Sequence, residues 1–87
     1  MSRAVRTPPD LAVEIGRRVK ELRESAGLRQ IDVAECVGLR GPSAIAHVEQ
    51  GANSRGRPHS VSLRLLIALA DAFDVTTDYL LGREERR

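Results

Sequence analysis

The 87-residue chain is poor in aromatic residues and in cysteine, with no tryptophan and only one tyrosine, one phenylalanine and one cysteine. So few aromatic side chains argue against a β-sandwich or barrel, and no segment alternates apolar and polar residues as a strand would. Because Cys36 is alone, the chain cannot form an internal disulfide, and a reducing compartment is expected. A chain of this length has one domain with a modest core, so we expect an all-α bundle.

Long apolar runs are also missing. The first ten residues, MSRAVRTPPD, contain no apolar core of a signal peptide, and no later run approaches the roughly 20 residues that a membrane-spanning helix needs. The sequence therefore predicts a soluble, cytoplasmic protein that does not enter a membrane.

Residue combinations that perform chemistry are absent too. The two histidines, His47 and His59, do not form a zinc-binding set with the single cysteine. No Ser/His/Asp arrangement, phosphate-binding glycine loop or pair of carboxylates stands out. We expect no metal, no cofactor and no enzymatic activity.

The most informative segment that is present runs from residue 27 to residue 51, GLRQIDVAECVGLRGPSAIAHVEQG. Gly27 is suited to ending a preceding helix, since glycine adopts the left-handed cap conformation without a Cβ penalty. A short helix is predicted over 30–37, with apolar residues at helical spacing, and Gly38 ends it. Two short helices joined by a tight turn are therefore expected here.

The second of these helices is predicted to begin with Pro42, because proline at the first helical position lacks only an amide that would have no partner. Ile45, Val48 and Glu49 then fall on one side of the helix. The residues facing elsewhere are Ser43, Ala44, His47 and Gln50. Two helices at a sharp angle, the second buried on one edge only, are typical of the helix-turn-helix that enters the DNA major groove.

The rest of the chain is organised simply. We predict a flexible basic arm over 1–9, a helical domain over 10–82 and a charged tail over 83–87. Within the domain, a first helix ends near Ser25, a fourth spans about 62–73, and Thr76 caps a fifth at 77–81. An extended loop at 52–60 precedes the fourth helix. The first helix is expected to bury one face, formed by Leu11, Ile15, Val19, Leu22 and Ala26.

The order and spacing of these segments resemble the phage-repressor helix-turn-helix proteins (the Cro/cI, or Xre, family). The resemblance covers about residues 15–82 and rests on IGRRVKELRESAGL at 15–28, Gln30, Ala34 with Gly38, and Ile45, Val48, Glu49 and Gly51. It closes with LIALADAFDVTTDYLLG at 66–82. The resemblance implies a five-helix, lambda-repressor-like DNA-binding domain whose helices 2 and 3 form the helix-turn-helix. The 52–60 loop and the turn before Ser43 are longer than is usual in this family.

The distribution of charge is consistent with a DNA partner. The net charge is only +2, but residues 38–64 carry four arginines and two histidines against the single acid Glu49. Residues 68–85 carry five acids against Arg83. A phosphate backbone would orient such a molecule with the basic part towards the DNA. Ordinary scatter of surface charge is the alternative explanation.

DNA contacts are expected from four places: the front of helix 3, the start of helix 2, the 52–60 loop and the arm. The predicted base-contacting residues are Ser43, His47, Arg40 and Ala44, with Arg40 also suited to a phosphate. The predicted phosphate-contacting residues are Gln30, Gln50, Asn53, Ser54, Arg55 and Arg57. The alternative is that these are solvated surface residues, and that the loop is a tolerated insertion.

Some residues are predicted to be structural. Arg23 and Glu49 match the interior ion pair that, in the family, links helix 1 to helix 3. Cys36 is expected to be a small filler of the core. The dimer interface is predicted at the C-terminal end, from Phe73, Val75, Tyr79, Leu80 and Leu81, although these residues could instead complete the monomer core.

The predicted function is that of a sequence-specific transcriptional regulator, acting as a repressor that binds a twofold operator as a homodimer. Alternatives with the same fold are an antitoxin that neutralises a toxin and represses its own operon, a restriction-modification controller, and an interaction module without DNA binding. Fold alone does not separate them.

Overall fold

A computed structural model describes residues 11–51 and 61–83. These residues form five helices: α1 (Leu11–Ser25), α2 (Gln30–Cys36), α3 (Ser43–Gln50), α4 (Leu63–Phe73) and α5 (Thr77–Leu80). The predicted all-α fold is confirmed, and the described part of the chain contains no strand. The arm at 1–9, the loop at 52–60 and residues 84–87 of the tail lie outside the described residues.

Helix ends follow the capping signals of the sequence. Gly27 has a φ of +72°, and Leu28 N–H donates to Arg23 O at 3.0 Å, so the left-handed glycine closes the last turn of α1. Ser62 Oγ accepts from Leu65 N–H at the start of α4, and Thr76 Oγ1 accepts from Tyr79 N–H at the start of α5. The predicted ends of α1, α4 and α5 therefore agree with the structure to within one residue.

The core lies between α1 and the other four helices. Its fully or nearly fully buried side chains come from every helix: Ile15, Val19, Leu22, Val33, Ala34, Ile45, Val48, Leu66, Leu69, Ala70 and Leu80. α1 packs more extensively against α3 than against any other helix. The longest helix therefore supports the helix that was predicted to read DNA.

Two predictions about burial are wrong, and one core residue was not predicted. Ala26 is exposed, because it follows the end of α1 instead of continuing its buried face. Cys36 is exposed at the end of α2 and fills no core space. Val33, which the sequence analysis did not single out, is 1% exposed, because α2 turns Val33 and Ala34 towards the core.

No helix in the described ranges is both long enough and apolar enough to span a membrane.

Candidate nucleic-acid interface

The turn between α2 and α3 is fixed by backbone hydrogen bonds at the end of α2. Gly38 has a φ of +82° and donates to Glu35 O at 3.2 Å, while Leu39 N–H donates to Ala34 O at 2.8 Å. This pair of bonds is a Schellman motif, which satisfies two terminal carbonyls and reverses the chain. The side chain of Leu39 then packs against the core. The next residue, Arg40, is exposed.

α3 begins one residue later than predicted. Pro42 is the N-cap and not the first helical residue, and its carbonyl accepts from Ala46 N–H at 2.9 Å. Ser43 is therefore the first residue of the helix and is exposed. The helix ends at Gly51, whose φ of +72° is left-handed.

The two sides of α3 differ as the sequence predicted. Ile45 is 0% exposed and Val48 is 1% exposed, so the inner side is core. Ser43 and Gln50 are exposed, and Ala44 and His47 are half-buried. Since Ser43 and His47 are four residues apart, they share one side of the helix. The inner side holds the helix in place, and these four residues form its outer face.

A charged network ties α3 to α1 and α2. Arg23 Nε donates to Glu49 Oε2 at 2.6 Å, and Arg23 Nη2 donates to Glu49 Oε1 at 3.1 Å, a two-pronged ion pair. Only 13% of the Arg23 side chain and 5% of the Glu49 side chain are exposed. The hydrogen bonds that Arg23 donates to the Glu49 carboxylate raise the pKa of Arg23 above its already high ordinary value. The ion pair between helices 1 and 3 is therefore present, and it is nearly buried.

Two further hydrogen bonds extend this network. Arg23 Nη1 donates to Leu28 O at 2.9 Å, which attaches the turn after α1. Gln30 Nε2 donates to Glu49 Oε1 at 3.0 Å, which attaches the start of α2. Glu49 thus accepts three N–H bonds from two elements. Its carboxylate is a hub that fixes α2 and α3 relative to α1.

Gln30 has a role that the sequence analysis missed. It was predicted as a phosphate ligand, whereas the structure uses one of its two side-chain N–H groups inside the protein. The amide nitrogen has a second N–H, so the residue can link the interior network to a group outside. No direct signal in the sequence indicated this pairing, because Gln30 and Glu49 are 19 residues apart.

Gly16 allows α1 and α3 to approach closely. A Cβ at this position would lie 2.2 Å from Val48 O and 2.8 Å from Glu49 O, distances that no real side chain tolerates. A glycine inside an otherwise strong helical pattern is the sequence signal for such an approach. The position of α3 is therefore set by backbone contact as well as by side chains.

Most of the predicted DNA-contacting residues in the described ranges lie on α3 or beside it. Arg40 precedes it, Ser43, Ala44 and His47 are on it, and Gln50 ends it. Gln30 lies at the adjoining start of α2. The loop residues Asn53, Ser54, Arg55 and Arg57 lie outside the described residues. No group of side chains in the described part of the chain has the composition of a metal site.

The predicted dimer residues need one correction. Leu80 is 0% exposed and belongs to the monomer core, so it cannot form part of an interface. Phe73, Val75, Tyr79 and Leu81 are only partly buried, and each packs against the core. Tyr79 also lies under the guanidinium of Arg18, 5.1 Å from the ring centre.

The large apolar side chains that the structure leaves exposed are elsewhere. Among the described residues these are Val13, at 55%, Leu63, at 72%, and Ile67, at 45%. Two of the three, Leu63 and Ile67, belong to α4.

Comparison with known proteins identifies the class of the fold. A family model described as a helix-turn-helix domain matches residues 14–81. The HTH-type transcriptional regulator ImmR of Bacillus subtilis (strain 168) is 32% identical over 73 residues, which cover 84% of this chain and 52% of ImmR. The chain thus spans about half the length of this curated relative.

Two solved structures are similar in sequence as well as in fold. The restriction-modification controller protein C.AhdI of Aeromonas hydrophila is 35% identical, with a TM-score of 0.67 over 79% of this chain and 94% of that one. The P22 c2 repressor, solved in complex with a synthetic operator, is 28% identical, with a TM-score of 0.64 over 80% and 96% of the two chains.

Proposed function

The chain belongs to the helix-turn-helix family of the phage-repressor (Cro/cI, Xre) type, and from this we propose that it is a DNA-binding transcriptional regulator that reads an operator with α3. The proposed action is repression in the cytoplasm by occupancy of the operator. One observation carries the proposal: the inner side of α3 is locked by Ile45, Val48 and Glu49, while its outer face remains at the surface. A helix held in this way can enter the major groove without losing its support.

Each outer-face residue has a proposed partner on DNA. Ser43 can donate to or accept from a base edge, and His47 can meet guanine N7 or O6. Ala44 offers a small apolar contact for a thymine methyl group. Gln50 and the second N–H of Gln30 suit phosphate oxygens, which fix the register on the duplex. Arg40, exposed before the helix, suits a phosphate or a guanine.

One domain of this size reads only a few base pairs. We propose that two copies bind half-sites one duplex turn apart, about 34 Å, as dimeric helix-turn-helix proteins do. A twofold operator then doubles the sequence that is read. Of the predicted dimer residues, Phe73, Val75, Tyr79 and Leu81 remain candidates for the contact between the copies.

The test begins by selecting duplexes from a random-sequence library with the purified protein. We expect an enriched motif with twofold symmetry. Binding to that motif is then measured by fluorescence anisotropy, with excess random competitor, for the wild type and for Ser43→Ala/His47→Ala. Ser25→Ala is the matched control, because Ser25 is exposed at the end of α1.

The proposal requires binding that resists competitor, is lost in the double variant and is kept in the control. If no motif is enriched, or if the double variant binds the motif as well as the wild type, then α3 does not read DNA as proposed. DNA from upstream of the chain's own gene, assayed in the same way, tests whether the protein regulates itself.

A second candidate is a restriction-modification controller. The similarity to C.AhdI supports it, because the match has 35% identity and extends over 94% of that controller. A nuclease–methylase gene pair beside this gene, and activation of a reporter by bound protein, would favour the controller. Repression alone would favour the repressor.

A further inference from the structure

The exposed side of α4 combines two large apolar residues with opposite charges. Leu63 and Ile67 are 72% and 45% exposed, and they are four residues apart, so they lie one above the other on the helix. Arg64 and Asp71 are also exposed. They are seven residues apart, which brings them to the same side of the helix. We call these four residues the α4 stripe.

The opposite side of the same helix already forms part of the core. Leu66 is 8% exposed, Leu69 is 0% exposed and Ala70 is 3% exposed. Within residues 11–51 and 61–83, the core therefore packs against the other side of α4 and leaves the α4 stripe exposed. Neighbouring exposed apolar side chains that a core does not need are typical of a contact surface.

The charges of the α4 stripe indicate which kind of surface could bind to it. The basic residue lies at the N-terminal end of the stripe and the acidic residue lies at its C-terminal end. When two copies of α4 cross antiparallel, centred between residues 67 and 68, Arg64 of each copy faces Asp71 of the other. Ile67 of one copy then lies close to Ile67 of the other copy. A parallel arrangement would instead place Arg64 against Arg64, and like charges disfavour it.

From this pattern we propose that the α4 stripe binds the α4 stripe of a second copy of this chain, antiparallel about a twofold axis that passes near Ile67. An isologous contact of this kind is self-complementary, as a closed dimer requires. Apolar burial supplies the affinity, and the charges set the direction of the two helices. The proposal rests on the proposed twofold operator binding and moves its dimer contact from the C-terminal end to α4.

Disulfide trapping tests the geometry directly. The exposed Cys36 is first replaced, and Ile67→Cys is introduced into the Cys36→Ser chain. A cysteine near a twofold axis meets its own copy within disulfide range, so mild oxidation should link two chains. Cys36→Ser/Ala72→Cys is the control, because Ala72 is exposed on the same helix but lies away from the α4 stripe. Trapping reports proximity even when association is weak.

Charge reversal tests the direction of the helices. By analytical ultracentrifugation at micromolar concentrations, we expect Arg64→Asp alone and Asp71→Arg alone each to weaken dimerisation by roughly threefold to tenfold, the range for exposed charge pairs turned repulsive. The two substitutions together should restore it. Arg64→Asp places a negative charge near the N-terminus of α4, and Asp71→Arg places a positive charge near its C-terminus. Both changes interact favourably with the helix dipole, so the variants should fold. Ile67→Lys should dissociate the dimer, whereas Ala72→Lys should not.

Several results would overturn the proposal. One is a wild-type chain that stays monomeric in solution and on the operator, and another is an Ile67→Cys chain that links no faster than the Ala72→Cys control. A dimer that survives Ile67→Lys would place the contact on another face, such as that of Tyr79 and Leu81. In each case, competitor-resistant binding that depends on Ser43 and His47 would still support the proposed reading of DNA by α3.

Discussion

Among single residues, Gly16 is the one at which the packing of α1 against α3 leaves no room for a side chain. The sequence alone did not show this requirement. It lies in the middle of α1, where glycine costs about 1 kcal/mol relative to alanine in helix propensity. That cost is offset because two backbone carbonyls of α3 lie where a Cβ would be. The residue is therefore needed for the contact between helices and not for the helix itself.

Gly16→Ala should lower the free energy of unfolding by about 1–3 kcal/mol or more, the usual cost of forcing atoms into a packed contact. The clash is with backbone, so no side-chain rotation relieves it. Urea denaturation followed by circular dichroism measures the change. Gly41→Ala is the control, because a Cβ there meets nothing within 4 Å, and its stability should change little. Equal effects at the two positions would contradict the argument.

Glu49 is the second residue on which the domain depends. Glu49→Gln keeps the shape of the side chain but leaves the nearly buried charge of Arg23 with only the distant, exposed carboxylate of Glu24, 3.9 Å away. Removing one partner of a buried ion pair costs about 3–5 kcal/mol, and the slight exposure of this pair places the expected loss near the lower figure. Chemical denaturation measures it, with Gln50→Ala on the exposed side as a near-neutral control.

The same pair allows a stricter test. Replacing both partners by apolar residues, as in Arg23→Met/Glu49→Leu, should recover most of the stability that Glu49→Gln loses, because no charge then remains buried. A double variant that is less stable than Glu49→Gln would show that the network contributes net stability and not only a fixed geometry.

At the scale of elements, the start of α2 is held by a local charge arrangement. The Asp32 carboxylate accepts from Arg29 N–H at 2.8 Å and from the Arg29 guanidinium at 3.1 and 2.9 Å. These bonds hold the pKa of Asp32 below its ordinary value, chiefly through the guanidinium. A carboxylate in the first turn also interacts favourably with the helix dipole. α2 has only seven residues, so this cap matters for its formation.

The lowered pKa gives the sign of a pH dependence. Because the folded chain releases the Asp32 proton more readily than the unfolded chain, the stabilisation is complete above the unfolded pKa, about 3.9. It is lost as the pH falls through the lower folded pKa. Denaturation of the wild type and Asp32→Asn should therefore differ at neutral pH and converge in strong acid. A gap that widens as the pH falls would contradict this assignment.

Element boundaries could be predicted from the sequence where a capping residue marks them. Gly27, Ser62 and Thr76 each end or begin a helix as their chemistry requires. The start of α3 was predicted one residue too early, because proline suits both the N-cap and the first helical position. At either position proline has no N–H that would need a partner. Asp74, with a φ of +56°, ends α4 in the left-handed conformation although it is not glycine. Where no glycine marks the end of a helix, the sequence indicates that end only by the residue at which the helical spacing of apolar side chains stops.

Burial was predicted less well than the boundaries, for a physical reason. Hydrophobic spacing identifies the apolar sides of a helix but does not tell a core side from a contact side. α4 has apolar residues on two sides, of which one is core and the other is exposed. Leu80 was predicted at the dimer interface because the C-terminal end offers more apolar surface than a small core needs, but α5 turns that side chain fully inward. Contacts distant in sequence decide both cases.

At the scale of the whole molecule, the charge beside α3 differs in sign from the charge on α4 and α5. Arg40 precedes α3, whereas Asp71, Asp74 and Asp78 lie on or beside α4 and α5. Such a separation orients the domain as it approaches a polyanion. It also makes affinity depend on salt, because each neutralised phosphate releases counterions.

Arg40→Ala should separate the two roles of Arg40. If Arg40 binds a phosphate, the slope of log affinity against log salt should fall in magnitude by about 1, with all sequences weakened alike. If Arg40 reads guanine, discrimination at one base pair should drop by about 1–3 kcal/mol. Anisotropy titrations at several salt concentrations, on the selected motif and its single-base variants, measure both quantities.

The division of α3 into a locked side and an outer face has an evolutionary consequence. Substitutions at Ser43, Ala44 or Gln50 change no residue of the core. With α3 reading DNA as proposed, a duplicated gene could therefore acquire a new target sequence without passing through an unstable protein. Two copies in one genome can thereby come to control separate genes after a few mutations. The nearly buried carboxylate of Glu49 lies on the other side of the same helix. It holds α3 in place while the residues of the outer face change.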